Sequence, residues 1–595
     1  MKVRQLTVHN FRGIKYLKWT LAHDFIVLVG PGDSAKTTIL TALGWLLSPT
    51  YRLPVTEADF YGGEATAPIK LEATIVDLPP ELTRFDAYGS MCRGWFPENL
   101  EARDDLEPPD ECERALTIAL SIDETMEPEW TVHKGTEEIR IRARDRALLG
   151  FLRIDDASDH HLRWGRGSAL TAATASTDDI PAMLATAHSD ARRAVAASPP
   201  SPLKDAATAA TTRARTYGVD VAALEPGLTP QVATGAAALE LHEGLVPVGA
   251  RGSASRRLIA MSLQGLGSEK AIVAIDELEH ALEPHRVRRL VHRLRAAVLS
   301  DEPAGPAQLL VTTHSPVVVT EARLNDLYVV RRGSTDGVVT VTSAGRALEA
   351  DDDSGQGLVR ACSEALLGRR VLVGEGATEV GFLRELLRHW DETEGTPTAH
   401  LGVTLADGGG DSAQRRALGF DRLGYPTALL LDSDLGSADL LNSEPNEVVL
   451  VQWAGGCALE ARVARDLPDS LVPVFLELAF EVASQESVTA RIANELRVHP
   501  TALADEPANW PTSSGKSLED IRDALAEVAP RKPSKGKAWF KSIERGELLA
   551  EFVTTHMTSL EPACSLLAGI HEIRAFVYAS ATSSDEPMKP DANSD

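Results

Sequence analysis

Short apolar runs that stop abruptly at polar residues dominate this sequence. FIVLV leads into GPGDSAKTT at 30–38, AIVAI into DELE at 276–279, QLLV into TTHSP at 312–316, VLVG into EGATE at 375–379, and ALLL into DSD at 432–434. Runs this short suit strands buried on both faces. Helical patterns separate them, as in SRRLIAMSLQGL, HRVRRLVHRLRAAVL and VGFLRELLRHW. Strand and helix in alternation mark βα units around a parallel sheet, so the expected fold class is α/β.

The pattern divides the 595 residues. Residues 1–156 are strand-rich, with VRQLTVHNF, KLEATIVDL and ALTIALSI the clearest strands beside FIVLV. Residues 157–235 change character: they are rich in Ala, Thr, Ser and Asp, and SPPSP interrupts them near 200. They read as a two-helix hairpin broken at the prolines, a helical arm suited to dimerisation. Residues 236–345 return to α/β, and 366–545 form a second α/β unit that turns helical from about 466. A helical end and a disordered tail fill 546–595.

The five cysteines form no CxxC pair, which argues against zinc and disulfides and fits a reducing, cytoplasmic setting. No apolar run approaches the roughly 20 residues that cross a bilayer, and no membrane partner is expected. The net charge of −26 counts against nucleic-acid binding through overall charge, so any such contact needs a local basic patch. RKPSKGKAWFKSIER at 531–545 is one candidate; a solvated helix face is its plainer explanation.

GPGDSAKTT follows the phosphate-loop pattern GxxxxGK[ST], with Ala35 in place of the second glycine. Gly30, Gly32, Asp33, Ser34, Ala35, Lys36, Thr37 and Thr38 would cradle the phosphates of ATP. Lys36 would reach the β- and γ-phosphates, and Thr37 would hold Mg²⁺. Alanine disfavours positive φ, which puts efficient turnover in question more than binding. Asp276 would hold Mg²⁺ through water and Glu277 would polarise the attacking water, unless both merely cap the next helix. His314, just past another strand, suits a γ-phosphate sensor. ARGSASRRL at 250–258 resembles the signature loop with which one copy of an ABC ATPase completes the nucleotide site of another, and that resemblance implies Gly252, Ser253 and Ser255 as the contacts.

The second acidic set is Glu375, Glu379, Asp432 and Asp434, with Glu460 after the strand EVVLVQW. Glu375 and Glu379 lie one helical turn apart and share a face. Clustered carboxylates repel one another unless cations neutralise them, and two Mg²⁺ or Mn²⁺ ions about 4 Å apart would bind both oxygens of a phosphodiester displacement. A lysine would stabilise the transition-state charge. Lys535, Lys537 and Lys541 are the candidates, with Lys541 favoured. A structural pair of acidic loops and a solvated helical Glu460 are the plainer alternatives.

The order of the first set resembles the ABC ATPases that include SMC and Rad50 heads, and EGATE followed by DSD looks like a TOPRIM domain. An ABC-type P-loop ATPase with a helical dimerisation insert, followed by a TOPRIM domain with a Rossmann-like parallel sheet and a helical C-terminal region, resembles the OLD (overcoming lysogenization defect) family. NFRGIK, ADFYGG, MEPEW and DELEHALEPHR support the likeness. Ala35 and a signature loop unlike LSGGQ depart from it. The resemblance implies a homodimeric, nucleotide-regulated and metal-dependent DNA endonuclease in antiphage defence or DNA repair, and leaves a helicase partner open. Other readings are a nucleotide-switched DNA sensor with an inactive TOPRIM domain and, more remotely, a topoisomerase. The latter needs a tyrosine nucleophile, and only Tyr578 lies beyond the second unit.

Overall fold

The computed structural model describes residues 1–579 apart from 106–110, most of 155–240, 244–245, 268–270, 300–305, 334, 349–352, 434–438, 444 and 532–537. The expected dimerisation arm at 157–235 lies outside the described residues except for isolated positions, and so does the expected tail from 580.

The N-terminal part builds two sheets. The first is antiparallel, in the order Ile14–Thr20, Lys2–Phe11, Ile69–Val76, Glu113–Ile122, Arg93–Phe96, Glu101–Arg103, with Pro128–Lys134 and Glu137–Arg140 branching from Glu113–Ile122. Val3, Leu6, Val8 and Phe11 all point inward; a bulge between Val3 and Gln5 resets the alternation. The second sheet runs Phe151–Ile154, Ile272–Ile275, Gln308–Thr312, Phe25–Val29, Leu327–Arg332, Val339–Ser343. Its strands are parallel except the last, which pairs antiparallel.

Phe25–Val29 shows why the apolar runs are continuous rather than alternating. Ile26 and Leu28 face a core shared with the first sheet and the helix Lys36–Leu46. Phe25, Val27 and Val29 face a second core on the opposite side. Both faces are covered, so neither tolerates polar residues.

The C-terminal part carries a four-stranded sheet in the order Val403–Asp407, Arg370–Gly374, Thr427–Leu431, Val449–Gln452, parallel throughout. Val371 and Val373 belong to the same core as Phe25 and Val27. One apolar layer therefore joins the two parallel sheets. Arg331 adds a polar tie, with its guanidinium over the Tyr425 ring and a 3.0 Å hydrogen bond to the Arg369 carbonyl. On the other face Leu372 and Phe382 pack into a helical layer that includes Phe475, Trp539, Phe552 and Ile570.

Within that layer the helices Ala377–Thr393 and Ile543–Thr555 cross at two glycines. A Cβ on Gly381 would run into the Ile543 carbonyl oxygen, and one on Gly546 into the Thr378 carbonyl oxygen. This close approach brings Lys541 alongside the second acidic set. Gly381→Ala is expected to destabilise the chain by about 1–3 kcal/mol through overpacking. Gly395→Ala, where the added methyl meets no atom within 4 Å, should shift stability by less than about 0.5 kcal/mol. Urea midpoints of the full-length variants measure both.

Candidate functional sites

The phosphate loop connects Phe25–Val29 to the helix Lys36–Leu46. Ala35 sits just before the helix in the left-handed region, at φ 76° and ψ 16°, and Asp33 is also left-handed at φ 59°. The loop thus takes the shape that glycine would favour, at some cost in backbone strain. Gly30 packs so closely on the Val330 carbonyl that a Cβ would collide with it. Gly32 and Asp33 are exposed, Ser34 is buried and Thr38 is half-buried.

Lys36 folds back into its own loop. Its Nζ donates to the carbonyls of Gly30 (2.8 Å) and Pro31 (2.7 Å) and to Ser34 Oγ (3.3 Å). Burial lowers its pKa to about 8, although Glu277, Glu279, Asp276 and Asp33 all favour the charged form.

Asp276 lies at the end of Ile272–Ile275 and gathers donors from several elements. Its Oδ1 accepts from Thr37 Oγ1 (3.0 Å) and Thr312 Oγ1 (2.6 Å), and its Oδ2 pairs with the Arg153 guanidinium at 2.8 Å. Arg153 also donates to Thr41 Oγ1 at 2.8 Å. The Mg²⁺-binding candidates Thr37 and Asp276, far apart in sequence, are therefore in direct contact. Glu277 has a left-handed backbone at φ 48°. The next helix begins only at Pro284, so capping it is not the role of either acid. The buried Arg257 guanidinium donates to the carbonyls of Asp276 and Glu277.

His314 stands past Gln308–Thr312. Its backbone N–H and the Thr313 hydroxyl both donate to the Glu279 carboxylate, at 2.6 and 2.7 Å. Partial burial and then Lys36 lower the His314 pKa. Gly252, Ser253 and Ser255 open the helix Ser253–Gly267. Gly252 and Ser253 are exposed and Ser255 is half-buried.

The second set gathers at the carboxyl ends of the C-terminal strands. Glu375 follows Arg370–Gly374, and its Oε2 accepts from the Asp432 N–H at 2.8 Å. Asp432 follows Thr427–Leu431, and its Oδ1 accepts from the Leu459 N–H at 2.9 Å, at the start of the helix Leu459–Asp466. Glu379, in the first turn of Ala377–Thr393, accepts from the Gly376 N–H at 2.9 Å. Glu460 is fully buried; its Oε1 lies 3.4 Å from Thr378 Oγ1 and 3.7 Å from Lys541 Nζ. It is not a solvated helical glutamate. Thr378 Oγ1 also bonds the Phe540 carbonyl at 3.0 Å, which anchors the segment that carries Lys541.

The electrostatics are those of crowded acids away from water. Burial raises the pKa of Glu379 and of Asp432, and the neighbouring carboxylates raise Asp432 further. Lys541 loses some of its charge preference to burial, but Glu460, Glu379, Asp432 and Glu375 together lift its pKa. Two carboxylate oxygens, Glu379 Oε1 and Glu460 Oε2, are buried without a hydrogen-bond partner. A cleft of about 160 Å³ opens beside Glu375 and Asp432, lined also by Gly410, Asp411 and Gln414. Among the described residues, no three His, Cys, Asp or Glu side chains form a preshaped metal cage. Asp434, Lys535 and Lys537 lie outside the described residues.

Several contributors carry little sequence signal. Arg153 and Arg257 hold the Asp276 turn, yet nothing in FLRI or SASRRL singles them out. Glu279 could have been suspected from the second acid of DELE, and Asp411 from the glycine run GGGDS after a strand.

Residues 240–320 match a family described as "AAA domain, putative AbiEii toxin, Type IV TA system". With the phosphate loop and the Thr37–Asp276 contact, this match identifies an ATPase domain, whose ligands are ATP and Mg²⁺. Among curated proteins, none matches the chain. Solved structures with some likeness include the SmcHead bound to the C-winged helix domain of ScpA, at 12% identity over 59% of this chain and 100% of that one, with a TM-score of 0.34. The SMC head domain from Thermotoga maritima gives 11% identity over 58% and 99%, at 0.28. The Smc head domain with an extended coiled coil bound to the C-terminal domain of ScpA, derived from Pyrococcus furiosus, gives 11% over 58% and 98%, at 0.34. Among the described residues no helix is long and apolar enough to cross a membrane.

Ala35→Gly is expected to stabilise the chain by about 0.5–1 kcal/mol, because it removes left-handed strain at a modest entropic cost. A urea midpoint that falls instead would show that the methyl packs favourably. At the second site the pH dependence has a definite sign. Asp432 has a folded pKa of about 9, above the unfolded value near about 3.9. Its favourable contribution is complete below the unfolded value and is lost as pH rises through the folded one. The Tm of Asp432→Asn should therefore gain on that of the parent chain as pH is raised toward 9. Mg²⁺ should raise the parent's Tm most at high pH. Thermal melts at several pH values, with and without Mg²⁺, check both.

Proposed function

We propose that this chain is a nucleotide-regulated, divalent-metal-dependent DNA endonuclease of the OLD type, with the ATPase domain as regulator and the C-terminal α/β unit as a TOPRIM nuclease. One observation carries the reading. Glu375 and Asp432 from two strand ends, and Glu379 and Glu460 from two helices, are all buried and bring their charges together beside Lys541. Two of their oxygens have no protein partner. Buried carboxylates without partners are costly unless a cation or proton joins them, and hard oxygens are the donors that Mg²⁺ and Mn²⁺ prefer.

Glu375, Glu379, Asp432 and Glu460, with Asp434, are the residues that would hold the cations. Bound there, the ions would neutralise the phosphodiester and activate water for attack on phosphorus. Lys541, 42% exposed on its side chain, would face the charge that develops on the phosphate oxygens. The cleft beside Glu375 and Asp432 would admit one strand of the backbone, with the GGGDS turn as one wall. No tyrosine is required, so no covalent protein–DNA adduct should form.

In the ATPase domain, ATP would draw Lys36 away from the Gly30 and Pro31 carbonyls, and Thr37 and Asp276 would take up Mg²⁺. Gly252, Ser253 and Ser255 would complete the nucleotide site of a second copy in a homodimer. The same family resemblance suggests antiphage defence or DNA repair as the setting, with a helicase as an optional partner.

The test is cleavage of supercoiled plasmid with Mg²⁺ or Mn²⁺, with and without ATP, beside Asp432→Ala. Nicked or linear product is expected for the parent chain, and loss of at least about a hundredfold in the variant, with DNA and nucleotide binding retained. DNA binding without cleavage by the parent chain would favour the nucleotide-switched sensor. Relaxed closed circles would favour a topoisomerase.

A further inference from the structure

The helix Pro284–Leu299 follows the Asp276 turn and contains five arginines, two histidines and no acid, within a chain of net charge −26. Its faces have separate duties. Val287 and Val291, with Leu290, Leu294 and Val298 beside them, pack into the core that joins the two parallel sheets. A second face is neutralised: Arg288 and His292 share Glu321, and Arg295 pairs with the buried Asp326. A third face looks into solvent. Arg286 there pairs with Glu283 at 3.1 Å. Among the described residues Arg289 and Arg293 have no carboxylate partner, and both are exposed.

We infer that this third face, centred on Arg289 and Arg293, is a docking surface for the DNA backbone. The occupant follows from charge. In a chain of net charge −26 a face with unneutralised guanidinium groups attracts a polyanion where the chain as a whole repels it. Arginine is the side chain best shaped for phosphate. His285, Arg289 and Arg293 fall in one row, each step about 6 Å along the axis at 1.5 Å per residue. The row therefore spans roughly three or four phosphates of one strand at about 3.4 Å each. The helix lies on the side of the ATPase sheet that carries the C-terminal unit, because Val287 and Val291 share their core with Val371 and Val373. The inference rests on the reading of the chain as a DNA enzyme.

Binding of a fluorescent 30-base-pair duplex to the full chain, in EDTA and across a salt series, tests it. Arg289→Ala/Arg293→Ala should weaken binding about tenfold and reduce the slope of log K against log salt by about 2, at about 0.9 per phosphate. Arg289→Lys/Arg293→Lys should restore most of the slope, and ATP binding by both variants should match the parent's, which reports an intact fold. An unchanged slope in the alanine variant, with the parent binding DNA, overturns the inference and leaves the nuclease reading standing. A parent chain that binds no DNA overturns both. If the alanine variant changes only the sedimentation of the protein, the face is a contact between copies and the inference fails.

Discussion

Parallel strands all deliver their carboxyl ends to one edge, and this chain depends on that constraint twice. Covering both faces of each sheet leaves the strand ends as the natural place for polar chemistry. Asp276 and His314 emerge at one such edge, and Glu375 and Asp432 at the other. The two edges are fixed relative to each other because Phe25, Val27, Val371 and Val373 share one apolar layer. A side chain that moves the ATPase sheet must therefore strain or repack that layer, since interiors of this kind are close-packed.

Much of this was legible in the sequence because it is local. A run such as FIVLV or ALLL announces a buried strand, and the residue that ends it announces where chemistry can be placed. Asp276, Glu375 and Asp432 needed no knowledge of tertiary structure. Glu460 was weaker, since an acid in a helical pattern is usually solvated; its burial depends on Thr378, Lys541 and the helix crossing at Gly381. That crossing is long-range and leaves no periodic trace. Arg153 and Arg257 were illegible for a like reason, because an arginine whose partner is a carboxylate 123 residues away, or carbonyls 19 and 20 residues away, looks like any surface arginine. The antiparallel sheet of the N-terminal part was visible strand by strand but not in its order, which non-local pairing decides. The acidic partner of Glu375 and Asp432 in the DSD motif, Asp434, lies outside the described residues.

Ala35 shows how far tertiary context can override local preference. The loop holds a left-handed residue at that position whether or not glycine occupies it, because Gly30 must pack on the Val330 carbonyl and the helix must begin at Lys36. The strain is of the order of 1–2 kcal/mol, small beside the burial of Ile39, Leu40 and Leu43 in the helix that follows. Sequence comparison with the phosphate-loop pattern marks Ala35 as a defect; geometry shows that the loop keeps its shape regardless.

The two sites share an electrostatic plan. Lys36 faces Glu277, Glu279, Asp276 and Asp33, and Lys541 faces Glu460, Glu379, Asp432 and Glu375. In each, an ammonium is set among carboxylates, which are buried around Lys541 and only partly so around Lys36. Around Lys541 one ammonium cannot offset four acids, so that nest retains a field that favours further cations, whereas at Lys36 the Arg153 guanidinium offsets Asp276 as well. The lysines differ in freedom. Lys36 is buried and bonded to its own loop, so an anion must compete with carbonyls for it. Lys541 keeps part of its side chain in solvent and, among the described acids, touches Glu460 alone, at 3.7 Å. The first arrangement makes the charge available when a polyphosphate arrives. The second leaves its ammonium partly open to solvent while it stays beside Glu460.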